Sequence, residues 1–339
     1  MKKLSDRPLV AAAAPAAAAG GTAPRIDFVE VAAALGAQMV SPKPATRVQA
    51  WLDAKVLRGG DWRFAWELRQ AAPKALLTLS ETTGLPVGLL ARRRVPHVMI
   101  AHNLTTPRRR AFQRKTGVLQ RIHRIIVVSR AQQAYLRDEV GLSDERVVFL
   151  RDKVDHHFFT PQATPSAGYI LSVGREQRDY PTLVEAVRGT KLRLILVPSS
   201  LWMPSHEIAG GALPANVEIR QNLPFAELRA LYAGAAAVAV PIRKGVDYAA
   251  GVNGVLEGMA MAKPVVVTES PGLAGYLDTS CLRVVPAADS AALRAELLQL
   301  TEAADAAQEL GRRARALIER EWNLDGYVDG VVRVVRSVM

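Results

Sequence analysis

Short apolar runs alternate with segments of helical period along this chain, and that alternation limits the fold more than any other feature. A short run without polar alternation is a strand buried on both faces, which requires helices on both sides of the sheet. Strands joined by helical crossovers lie parallel, so the expected class is α/β with parallel sheets. In the first half the expected strands are 8–14, 37–40, 74–79, 97–102, 125–128 and 147–150. Helices are expected over 26–35, 62–71, 85–94, 107–122 and 130–140. Residues 151–168 show no period and contain Pro161 and Pro165, which reads as a linker. A second set follows, with strands 169–173, 192–197, 217–219, 236–241 and 264–268 and helices 182–187, 225–232 and 252–261. The tail is helical over 291–300, a stretch up to 320, and 324–338. At 339 residues, two domains are expected.

In open α/β sheets ligands sit beyond the carboxyl ends of the strands, so residues that follow strands are the first candidates. His102 ends strand 97–102 and can hydrogen-bond a hydroxyl or transfer a proton. Arg175 and Arg178 follow strand 169–173, where two permanently charged, bidentate guanidiniums suit a diphosphate. Gly20-Gly21 follows the first strand and lets backbone N–H groups approach a phosphate beside helix 26–35. Val252, Asn253 and Gly254 open helix 252–261, and their N–H groups can hold phosphate or sugar oxygens. Glu257 lies about one turn in, among apolar Val255, Leu256 and Met259. A carboxylate there needs a partner, and the two hydroxyls of a ribose supply one. His156 and His157 are adjacent and lack metal-ligand spacing, so no metal is expected. A single cysteine, Cys281, excludes a disulfide framework and points to a reducing compartment.

The charge is concentrated. Residues 82–137 hold 12 basic side chains and no acidic one, while the rest of the chain balances at 32 of each, so the whole net charge of +12 sits there. Arg92, Arg93, Arg94, Arg108, Arg109, Arg110, Arg114 and Lys115 form the expected basic patch. A helix over 106–124 is expected to carry Phe112, Val118, Leu119 and Ile122 on its apolar side, as a helix lying on an anionic membrane does. Clustered arginine also suits nucleic acid, but only Phe112 and Tyr135 are aromatic in this window, and no helix-turn-helix or zinc motif accompanies them. No nucleic-acid partner is therefore expected. No apolar run is long enough to span a bilayer. The Ala-rich segment after Met1-Lys2-Lys3 imitates a secretory leader, with a buried first strand entering a glycine loop as the other reading.

The run VLEGMAMAKPVVVT at 255–268 resembles the LEAMA-x-GKPVV segment of glycosyltransferase family 4. Similar in order and spacing are SVGR at 172–175 with DYPTLVEA at 179–186, IIVVSR at 125–130, KVD at 153–155, LRALYAG at 228–234 and Val240-Pro241. The resemblance implies the GT-B fold, two Rossmann-like domains facing across a cleft with a C-terminal helix crossing back to the first. It places an acceptor domain at 1–153, a donor domain at 154–320 and the crossing helix at 321–339. It implies a retaining, metal-independent transferase that needs no cofactor and takes a nucleotide-diphosphate sugar as donor. The acceptor would be a glycan or a lipid-linked hydroxyl compound, met by a cytoplasmic protein on the inner membrane face. Arg175 and Arg178 would take the diphosphate, with Arg178 in place of the usual lysine. Glu257 would take the ribose, Gly20 and Gly21 the donor side of the first domain, and His102 the sugar. The family's Glu-x7-Glu pair would begin at position 249, which is alanine, and Asp247 is two residues off. That departure admits a second reading, a catalytically inactive sugar-nucleotide sensor or partner subunit.

Overall fold

The computed structural model describes residues 7–12, 21–44, 46–47, 60–69, 72–92, 94–198 and 213–339. The chain divides into two units, one formed by Met1–Ala18, Arg25–Arg151 and Asp325–Met339, the other by Ala19–Pro24 and Asp152–Leu324.

The first unit holds strands β1 (Leu9–Ala11), β2 (Gln38–Val40), β3 (Leu76–Thr78), β4 (His97–Ala101), β5 (Arg124–Val127) and β6 (Val147–Phe149). They form one parallel sheet in the order β2-β1-β3-β4-β5-β6. The order reverses between β1 and β3, so the loops leaving those strands flank a topological switch point. Leu9, Val10 and Ala11 are fully buried between β2 and β3, so this apolar run is a central strand of the fold. Among the described residues its helices are α1 (Asp27–Leu35), α2 (Trp62–Leu68), α3 (Glu81–Leu90), α4 (Pro107–Thr116) and α5 (Arg130–Ala134).

The second unit holds β7 (Tyr169–Val173), α6 (Tyr180–Val187), β8 (Arg193–Val197), β9 (Val217–Ile219), α7 (Phe225–Gly234), β10 (Ala235–Val240), α8 (Val252–Ala260), β11 (Val265–Thr268), β12 (Arg283–Val285), α9 (Ser290–Glu302) and α10 (Ala304–Arg320). The last helix, α11 (Leu324–Arg336), belongs to the first unit from Asp325 onward. The second unit's sheet is also parallel, in the order β12-β11-β10-β7-β8-β9, which is the dinucleotide-fold order with its switch point between β7 and β10. Alternate strand residues feed two separate cores. Ile170, Leu194, Leu196, Ala237 and Val266 pack on the side of α6 and α9, while Leu171, Ile195, Val238, Val265 and Val267 pack on the side of α8 and α10. Burial on both faces is why these strands read as unbroken apolar runs. The three-residue β12 was too short to show such a run.

Three expectations about elements change. The segment 151–168 is not a bare linker. Val154, Phe158 and Phe159 are buried in the second core, and Arg315 donates to the carbonyls of His156 and Phe159 at 3.0 and 2.8 Å. Helix α3 begins at Glu81 under a Ser80 cap, one turn before the expected 85. Its Pro86 cannot donate to the Thr82 carbonyl, but the Asp61 N–H fills that carbonyl at 2.9 Å, so the proline is tolerated inside the helix. The expected helix over 106–124 stops at Thr116, because Gly117 takes the left-handed conformation at φ 60 and closes the helix. A 3-10 turn over Val118–Arg121 follows, and Val118, Leu119 and Ile122 go into the core of the unit with at most 1% exposure. They form no membrane-facing stripe. Among the described residues no helix is long and apolar enough to cross a membrane.

Candidate functional site

In the second unit, the loops that leave β7 and β10 meet at the switch point. Asp179 N–H donates to the Pro241 carbonyl at 3.0 Å and Arg243 N–H to the Gln177 carbonyl at 3.0 Å, so the two loops form one plate. Asp179 caps α6 through Thr182. The two arginines separate. Arg175 is exposed on the loop. Arg178 turns inward with 5% exposure, and its Nε and Nη2 donate to the Val173 carbonyl at 3.1 and 2.8 Å while Nη1 donates to the Glu176 carbonyl at 3.1 Å. The expectation of two open loop arginines is therefore corrected: bare carbonyls at the end of β7 draw Arg178 into the fold. Its guanidinium lies against Gly174, Gly251 and Gly254, where a Cβ would run into it at the first of these and crowd it at the second.

Helix α8 begins there. Its N-cap is Gly251 at φ 89, which supplies no side-chain cap. Val252 N–H donates weakly to the Ala249 carbonyl at 3.3 Å, and the N–H groups of Asn253 and Gly254 have no partner within the described chain. Unfilled N–H groups and the helix dipole favour an anion, and the buried Arg178 charge beneath adds to that field. Glu257 is half-buried on the same helix, and its Oε2 accepts from the Tyr232 hydroxyl at 2.7 Å. Burial raises its pKa from the ordinary 4.5 to about 7, opposed by the Tyr232 hydrogen bond and the Arg178 charge. Its second oxygen remains to accept from a ligand. Ala249 packs against the apolar core, so no carboxylate occupies that position.

The Glu257 shift gives a direct prediction. The native state keeps this proton up to about pH 7 while the unfolded chain releases it near 4.5. Between those values the native state binds more protons, so stability falls as pH rises. Glu257→Gln should flatten that slope and stabilise the protein by about 1–3 kcal/mol above the raised pKa. Urea titrations across this range check it, and parallel slopes in the two proteins would refute the burial argument.

In the first unit, His102 lies just past β4. Its N–H donates to Glu81 Oε2 at 2.9 Å, and its Nε2 lies 3.3 Å from the Leu79 carbonyl. A carbonyl only accepts, so Nε2 carries the hydrogen and Nδ1 keeps its lone pair for a ligand. Glu81 is 5% exposed and pairs with Arg109 at 2.9 Å. Sequence reasoning missed Glu81; the signal was Ser80-Glu81 directly after a strand, a cap followed by an acid in the first helical turn. Arg109 also donates to the Asn103 carbonyl at 2.6 Å, and Asn103 Oδ1 is buried without a partner. Beside this cluster lies a cavity of about 710 Å³, with Trp62, Leu85, Pro86 and Phe112 as apolar walls and Arg108 and Arg109 as its charged lining.

The remaining sequence candidates fare unevenly. Gly20 and Arg93 lie outside the described residues. Gly21 is described, but α1 starts only at Asp27, and Asp27 and Glu30 already occupy its first turn. Acids there repel a phosphate, which removes the reason for placing one beside this helix. The basic patch is only partly open. Besides the Arg109 pair, Arg110 pairs with Glu139 at 2.5 Å and stacks over Tyr135. Arg92, Arg94, Arg108, Arg114 and Lys115 are exposed.

Known proteins resemble the chain in both halves. Residues 168–303 match the family model described as glycosyl transferases group 1, and residues 32–187 match that of glycosyltransferase family 4. No curated protein sequence matches the chain. A sucrose-phosphate synthase from Thermosynechococcus elongatus is similar in structure, with TM-score 0.76, 16% identity, and coverage of 98% of this chain and 99% of that one. A glycosyltransferase from Rickettsia africae ESF-5 gives TM-score 0.74 at 16% identity over 98% of both chains. Anabaena HepE, solved in complex with UDP-glucose, gives TM-score 0.72 at 13% identity over 98% of this chain and 100% of that one. At such identities these likenesses establish the fold.

Proposed function

Because this chain belongs to the family 4-like glycosyltransferases of the GT-B fold, we propose that it moves a sugar from a nucleotide-diphosphate donor to a hydroxyl acceptor, with retention and without a metal ion. The observation that carries the reading is the uncapped start of α8 at the β7/β10 switch point, with Arg178 beneath it and Glu257 along the same helix. The diphosphate sits on the N–H groups of Asn253 and Gly254, met from solvent by Arg175 and from below by the Arg178 charge. The ribose takes the free oxygen of Glu257. Positive charge that a metal would otherwise bring to the leaving diphosphate comes from these groups. His102 offers Nδ1 to a hydroxyl of the transferred sugar, held in that tautomer by Leu79 and in place by Glu81.

The acceptor carries an apolar portion, because the cavity that Arg109 lines is walled by two aromatic rings, a leucine and two prolines. Arg108 and Arg109 at the same cavity suit a phosphate or an acidic sugar on that acceptor. With Arg94, Arg114 and Lys115 exposed on the same unit, a lipid-linked acceptor at an anionic cytoplasmic membrane face fits best. The inactive reading keeps one observation in its favour, the alanine at 249.

Calorimetric titration with UDP-, GDP- and ADP-sugars tests the donor site. One of them should bind, and Glu257→Gln should weaken it by about tenfold, the worth of one hydrogen bond to a charged group. Absence of binding by any nucleotide sugar would overturn the reading. Binding with neither hydrolysis nor transfer would select the inactive alternative.

A further inference from the structure

A second basic cavity lies in the first unit, at the opposite end of the sheet from His102. It holds about 530 Å³ and is lined by Gln120, Arg121, His123, Arg124 and Arg146, with no acidic residue. These residues sit around the amino ends of β4, β5 and β6, whereas His102 lies past the carboxyl end of β4. Five residues of strand, about 16 Å, separate the two ends.

None of the three arginines has a carboxylate partner among the described residues. Arg146 donates from Nη2 to the carbonyls of Leu119 and Ile122 at 3.0 and 2.6 Å and from Nη1 to Gln120 Oε1 at 3.0 Å. Those bonds fix the guanidinium and leave its Nε–H and one Nη1–H uncommitted. Arg124 makes one bond, to the His123 carbonyl at 3.0 Å, and Arg121 one long contact to the Leu89 carbonyl at 3.4 Å. His123 Nδ1 accepts the His97 N–H at 3.2 Å, so its hydrogen is on Nε2, a further donor. Burial and the charges of Arg146 and Arg124 hold that imidazole neutral. Burial and Arg124 also pull the Arg146 pKa down, so the like charges repel one another in place. Elsewhere in the unit, crowded arginines are relieved by acids: Arg109 by Glu81, Arg110 by Glu139, Arg137 by Asp144. Here no acidic side chain lines the cavity, and an anionic ligand supplies the matching charge.

We propose that this cavity binds a phosphate group, from a lipid headgroup or a soluble phosphorylated compound, at a site separate from the donor and acceptor sites. Arg146 is the pre-fixed anchor, His123 a neutral donor, and Arg121 and Arg124 the mobile charges that close on the anion.

The test is calorimetric titration of sodium pyrophosphate into the full chain, comparing wild type with Arg121→Ser/Arg124→Ser. The double variant should bind at least about tenfold more weakly, since two charge-assisted contacts to the anion are lost. Arg121→Glu, at an exposed position, should lower affinity without disturbing the fold. Equal affinities in wild type and variants, or no binding to wild type, overturn the proposal. Because the readout is the binding lost with Arg121 and Arg124, neither of which belongs to the donor site, a failure of the donor assignment leaves this test intact. Sedimentation with phosphatidylcholine vesicles, with and without phosphatidylglycerol, separates the sources. Pelleting with the anionic vesicles that the double variant loses assigns the phosphate to lipid. Equal pelleting alongside lost pyrophosphate binding assigns it to a soluble ligand.

Discussion

Arg178→Ala should lower stability by about 3–5 kcal/mol, the largest loss expected from any single change at the donor site. The side chain is 5% exposed and its three donated bonds fill the carbonyls of Val173 and Glu176. Alanine leaves those carbonyls empty and opens a void that Gly174, Gly251 and Gly254 were shaped around. Gly174 and Gly251 also have φ of 105 and 89, so a larger residue there cannot simply fill the hole. Arg178→Lys keeps the charge but cannot fork onto Val173, and an intermediate loss of about 1–2 kcal/mol is expected. Chemical denaturation measures both. The same alanine protein, assayed well below its melting temperature, should bind a nucleoside diphosphate much more weakly and the bare nucleoside nearly as before. An Arg178→Ala protein as stable as wild type would mean that the inward conformation is wrong.

His102→Ala should lower the transfer rate by about 10²–10⁴-fold, the usual range for a positioned acid–base group. UDP, which lacks the sugar, should bind unchanged. His102→Gln places an amide where the imidazole was and should restore part of the rate if the ring acts by hydrogen bonding, and none if it carries a proton. Glu81→Gln supplies the companion measurement. It breaks the ion pair to Arg109 and weakens the contact to the His102 N–H, so kcat should fall while the tautomer set by Leu79 persists. Full transfer activity in His102→Ala would remove this residue from the proposal.

Much of the architecture was legible from the chain alone. Strands buried on both faces announce themselves as unbroken apolar runs, which is why β4, β7, β8 and β10 stand out without any partner in view. The candidate site was chosen by position and by the family resemblance: His102, Arg175, Arg178 and Glu257 follow strands or lie in the first turns of a helix. Where expectation and structure part, a distant group decides. The helix expected from Leu85 starts a turn earlier, at Glu81, and Pro86 becomes an interior residue because Asp61, 25 positions earlier, satisfies Thr82. The apolar side of 106–124 suggests a membrane face until Gly117 turns the chain and the core takes Val118, Leu119 and Ile122. Phe158 and Phe159 sit in what reads as a linker and are core residues.

The chain by itself thus determined the fold class and the strands and pointed to a candidate site, because apolar periodicity and strand ends are local properties. Only tertiary structure decided what each polar side chain does. Arg175 and Arg178 are three residues apart and chemically identical, yet one faces water and the other fills the end of β7. Glu81 reaches His102 across 21 positions of chain. Those outcomes depend on which carbonyls, carboxylates and missing Cβ atoms arrive from elsewhere, and hydrogen-bond satisfaction in a buried site is set by such arrivals rather than by sequence neighbours.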